Sequence, residues 1–90
     1  MKYTLKHKPD YALQNIAGKY VVLPAEAQTP NVILTLDEAG AFLWKQLEKD
    51  TDIPTLMRAL IVTLDITTGT ALAIVSQFVQ TLWDKNLLLD

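Results

Sequence analysis

The chain predicts an α+β fold in which a three-stranded antiparallel sheet is followed by three helices. Two observations carry this. Apolar residues follow strand spacing in short runs up to residue 36, and at Asp37 they change to helix spacing for the rest of the chain. Ninety residues, half of them apolar, make one domain with a modest core, taken here as residues 1–90 without linker, repeat or low-complexity segment.

Residues 11–16, YALQNI, alternate weakly, and residues 19–24, KYVVLP, form a stronger strand signal. Ala17 and Gly18 between them suit a tight hairpin in which Gly18 takes the positive φ angle. Pro24 ends the second strand, and AEAQTPN, residues 25–31, connects it to a third strand over residues 32–36. Three short strands need helices on one face to be stable.

Asp37 suits the cap of the first helix, accepting bonds from its free N–H groups. Gly40 lies on the same helical face as Leu43 and Leu47. A glycine there costs about 1 kcal/mol relative to alanine, which points to a packing reason such as close approach to the sheet. Asp52 suits a second cap, with Pro54 in the first turn where its missing N–H is harmless. Ile53, Leu56, Met57, Leu60, Ile61 and Leu64 trace one stripe along that helix. Asp65 to Gly69 is a break, and Thr67 caps a third helix running from about Thr68 to Lys85. Asn86 replaces glycine in its left-handed cap, and Leu87 to Leu89 follow.

On the third helix, Ala71, Leu72, Ile74, Val75, Phe78, Val79, Leu82 and Trp83 fall within about half the circumference. A helix on a single core needs a narrower stripe. Leu72, Val75, Val79 and Leu82 have ordinary core spacing. The edge Ala71, Ile74 and Phe78 is left over, as extra core or as the wall of a groove beside the sheet.

Composition excludes several kinds of function. There is no cysteine, hence no disulfide, thiolate metal site or iron–sulfur ligation. MKYTLKHKPD lacks the apolar region of a signal peptide, and the apolar runs are too short to span a bilayer, so a soluble cytoplasmic protein with no membrane partner is expected. Ser76 and His7, the one serine and the one histidine, lie at opposite ends of the chain and make no nucleophile and base pair. His7 is expected at the surface, in a basic solvated segment Lys6-His7-Lys8. Asp37 with Glu38, and Asp50 with Asp52, sit at helix starts where capping explains them. The three glycines are scattered and form no phosphate loop. The expectation is a protein that is not an enzyme, with no metal and no cofactor.

The order of motifs resembles the PqqD-like family, small domains that recognise leader peptides in ribosomal peptide-modifying pathways. In that family a strand ends in Leu-Asn-Glu-Thr-Gly-Ala and runs into an aliphatic-Trp helix. The matching residues here are Leu36, Asp37, Glu38, Ala39, Gly40 and Ala41, then Leu43 and Trp44. The hairpin ending in Val-Leu-Pro and the terminal Lys85-Asn86-Leu87-Leu88 fall in the same order. Asp37 and Ala39 stand where Asn and Thr are commoner, and Ile74 where the family often carries an acid.

The resemblance implies a site and a role. The leader of a precursor peptide would add as a strand along Val32, Ile33, Leu34 and Thr35 and lie against Ala71, Ile74, Val75 and Phe78. The chain would present that leader to a modifying enzyme, often a radical-SAM protein. Phe78→Asp and Leu34→Pro are the substitutions selected to break binding.

Two rival readings remain. The helices and small sheet also resemble a winged-helix-like bundle, the fold-level argument for DNA binding. Between Ile53 and Asp84, however, the chain offers only Arg58 to phosphates, so no nucleic-acid partner is expected. An open strand edge beside an apolar helix flank also suits a homodimer or other structural subunit.

Overall fold

The computed structural model describes residues 5–25 and 32–89. Its elements are β1 (Tyr11–Ile16), β2 (Lys19–Pro24), β3 (Leu34–Leu36), α1 (Glu38–Gln46), α2 (Ile53–Leu64) and α3 (Thr68–Asp84). This is the α+β order expected, with an antiparallel sheet of order β1-β2-β3. The connection over residues 26–31 lies outside the described residues.

The hairpin turns at Ala17 and Gly18, both with positive φ (52° and 82°), the pairing of a two-residue turn whose twist matches the strands. The expectation placed only Gly18 there. β3 is three residues long, not the five of residues 32–36. Its register with β2 pairs Val22 with Leu34, so Pro24 falls opposite Val32. Proline has no N–H to extend the ladder, and the last bond runs from the Ile33 N–H to the Val22 carbonyl at 2.8 Å.

All three helix starts use their expected caps. Asp37 accepts from the Gly40 N–H at 2.8 Å, Asp52 from Thr55 at 2.8 Å, and Thr67 from Thr70 at 3.2 Å. Asn86 closes the last helix with φ 58°. A Cβ on Gly40 would stand 3.1 Å from Leu36 Cδ2 and 3.2 Å from Leu36 Cβ. The absent side chain is what lets the first turn of α1 sit on β3.

The core gathers Val22 from the sheet, Leu43, Trp44 and Leu47 from α1 and its end, Leu56 and Leu60 from α2, and Val75 and Leu82 from α3. On α3 the buried stripe is Ala71, Val75, Phe78 and Leu82. Leu72, expected in the core, is 49% exposed. The apolar arc covers half the helix, and its buried sector is rotated toward Ala71 and away from Leu72.

The segment around His7 is not a solvated tail. Leu5 and Thr51 exchange backbone bonds (2.6 and 2.9 Å). His7 donates its N–H to Leu47, Lys8 to Leu87, and Leu89 to Lys6. The His7 ring is buried and stacked on Trp44, with centroids 4.1 Å apart and planes within 9°. Its local sequence is charged and without periodicity, so its long-range pairing had no local signal.

Candidate functional site

Among the described residues, β3 is an edge strand, paired with β2 on one side only. Alternation along a strand sends Leu34 and Leu36 to one face and Thr35 to the other. Leu34 and Leu36 are half-buried and pack on the core, while Thr35 is exposed. α3 lies alongside with Ile74, Gln77, Phe78 and Thr81, one helical edge at spacings of three and four. Between strand and helix runs an open groove of about 790 Å³, within the range of about 300–1,000 Å³ typical of ligand sites.

The groove is also lined by the hairpin residues Gly18, Lys19 and Tyr20 and by the start of α1 at Asp37, Glu38 and Gly40. The apolar surface comes from Leu34, Leu36, Ile74 and Phe78. The polar positions are already partly engaged. Asp37 is tied to its cap, and the Thr81 hydroxyl donates to the Gln77 carbonyl at 2.9 Å. Phe78 is 8% exposed and belongs to the core cluster while lining the groove, so it forms the floor. Ile74 is half-buried and stands on the wall.

Of the residues assigned to this site from sequence, the structure brings Leu34, Thr35, Ile74 and Phe78 together around the groove. Val32, 48% exposed, and Ile33, half-buried, precede β3 and lie outside the lining. Ala71 and Val75 are fully buried and face the core instead of the groove. Sequence reasoning missed Leu36, Tyr20, Gln77 and Thr81. Gln77 and Thr81 follow Ile74 and Phe78 by three residues and were readable from helical spacing, had polar residues been counted. Tyr20 required the pairing of Tyr20 with Leu36, which only the fold supplies.

Among the described residues no cluster of three or more His, Asp or Glu side chains is placed to hold a metal ion. No helix among them is long and apolar enough to cross a membrane.

The family model described as coenzyme PQQ synthesis protein D (PqqD) matches residues 19–88. Among solved structures, the chain is similar to TbiB1 in complex with the TbiA(beta) leader peptide. The TM-score is 0.71 at 23% identity, over 92% of this chain and 93% of that one. At that identity the likeness establishes the fold. No curated protein matches the chain.

Proposed function

This chain belongs to the PqqD family, and we propose that it binds the leader segment of a ribosomally made precursor peptide and presents it to a modifying enzyme. The observation that carries the reading is the groove itself, an open strand edge facing an apolar helix wall. An edge strand offers directional backbone bonds, and an apolar trough beside it accepts alternate side chains of an added strand. The TbiB1 structure, similar over nearly the whole chain, holds a leader peptide. Leu34 and Thr35 supply the edge, Ile74 the wall and Phe78 the floor. Val32 and Ile33 extend the track along which the leader enters. Ala71 and Val75 act from the core, holding the helix at its distance from the strand.

The role is recognition without catalysis. The bond-making chemistry belongs to the partner enzyme, of the radical-SAM class that the family resemblance implies. A leader disordered when free loses about 2–5 kcal/mol on ordering, so affinity is moderate and release remains easy. The test is to search the neighbouring genes for a short precursor reading frame and to measure fluorescence anisotropy with the labelled leader of any precursor found there. Saturable binding by the intact chain, weakened in Ile74→Glu, supports the proposal. Equal binding by the folded Ile74→Glu variant overturns the groove as the site.

A further inference from the structure

α3 carries a second apolar flank, about half a turn round the helix from the Ile74 and Thr81 side that lines the groove. Gly69, Leu72, Ser76, Val79 and Trp83 recur at alternating steps of three and four residues, the spacing of a coiled-coil seam. Most of this seam faces solvent. Leu72 is 49% exposed and Trp83 60% exposed, Gly69 and Ser76 are exposed, and Val79 is half-buried. Its surroundings are as unusual as the seam, since no charged residue lies between Asp65 and Asp84. The outer face of a helix in water ordinarily carries charges. Their depletion around an exposed tryptophan is the composition of an interface core.

We propose that this seam pairs with the same seam of a second copy of the chain, α3 against α3, antiparallel about a two-fold axis at Ser76. The sequence is self-complementary about that residue. Gly69 and Trp83 lie seven residues to either side of Ser76. Each Trp83 therefore comes level with the partner's Gly69, where a side chain would meet open space and its absence leaves room for the indole. Leu72 comes within one residue, about 1.5 Å along the axis, of the partner's Val79. Ser76 meets the partner's Ser76, small enough for the two helices to approach. Such self-matching of one patch is the requirement of a two-fold interface.

The charges at the helix ends single out a second copy as the occupant. Asp84 ends α3 at the negative end of the helix dipole, where an acid is misplaced, while the first turn carries no acid. The same alignment puts each Asp84 level with the partner's Thr68, at the positive end that lacks one. Lys85 comes level with the partner's Thr67, two residues from the partner's Asp65. The strip is about 25 Å long and about 10 Å wide, short of the about 800 Å² per partner of a standard interface. The dimer is accordingly weak and reversible, with a dissociation constant on the order of 100 μM. It leaves the groove on the far flank of each α3 open.

Sedimentation equilibrium of the intact chain from about 1 μM to about 1 mM reads the association directly. The expected result is a monomer at the dilute end and a dimer at the concentrated end, without higher species. Trp83 emission should shift to the blue over the same range, because Trp44 is 1% exposed already and cannot respond. Ser76→Arg sets two like charges against each other on the two-fold axis and is expected to weaken the dimer about tenfold or more. Asp84→Lys acts with opposite sign on folding and on pairing. A cation at the end of its own helix should hold or raise the urea midpoint of the dilute chain, while the dimer weakens about threefold or more. A chain that stays monomeric to the top of the range leaves the flank to a different partner and overturns the proposal. A dimer as strong in Ser76→Arg as in the unaltered chain is held by another surface, such as the open edge of β3, and overturns it equally. A dimer indifferent to Asp84→Lys overturns the antiparallel alignment.

Discussion

Phe78 and Ile74 are one helical turn apart and do different work. Phe78 closes the core from below the groove, so removing it opens a cavity. Phe78→Ala is expected to cost about 3–5 kcal/mol, a large share of the roughly 5–15 kcal/mol that holds a domain this size together. Phe78→Asp adds a buried charge and unfolds the chain, so its loss of binding says nothing about the groove. Leu34→Pro fails as a probe for a related reason, because the Leu34 backbone is tied to Val22 in the ladder. Ile74 is half-buried on the groove wall, and its substitution separates binding from folding. Ile74→Glu is expected to weaken leader affinity about tenfold or more, the loss of one apolar contact of about 1.5–3 kcal/mol. Its urea midpoint should shift by less than half of the shift in Phe78→Ala. An equal shift in both would place Ile74 in the core and remove it from the wall.

At the scale of elements, the junction of β3 and α1 borders the groove, and two glycines give it a controlled comparison. A Cβ at Gly69, in the first turn of α3, would meet open space, whereas one at Gly40 would stand 3.1 and 3.2 Å from Leu36. Gly69→Ala is expected to stabilise by about 0.5–1 kcal/mol through reduced freedom of the unfolded chain. Gly40→Ala gains the same propensity but pushes against the strand, and is expected to lower the urea midpoint. A rise at both positions would show that β3 yields, and that the close approach carries no constraint. The close approach at Gly40 was legible because it is local, as were the three caps at Asp37, Asp52 and Thr67. The face of α3 was not. An apolar arc of half a turn is compatible with several rotations, and the tertiary packing that chooses Ala71 and Val75 for the core lies in no local pattern. The length of β3 depends likewise on Pro24 in another strand.

At the scale of the whole molecule, the chain closes on itself through its ends. Residues 5–8 lie between the turn after α1 and the strand-like stretch after α3, held by bonds to Leu47, Thr51, Leu87 and Leu89 and by the stack of His7 on Trp44. Five backbone bonds at a net of about 0.5–1.5 kcal/mol each and an aromatic stack of about 0.5–1.5 kcal/mol are offset by the entropy of ordering a few residues. Deletion of residues 1–8 is therefore expected to lower stability by about 2–4 kcal/mol, read as a drop in the urea midpoint. Trp44 is 1% exposed and Trp83 60% exposed, so the deletion should also shift the blue component of tryptophan emission to the red. None of Leu47, Thr51, Leu87 or Trp44 lines the groove. The fraction of the shortened chain that remains folded should consequently bind leader with unchanged affinity, its apparent weakening matching the unfolded population alone. A larger loss of affinity than the unfolding curve accounts for would show that the closed ends help shape the groove, and that the site extends through the core to Trp44.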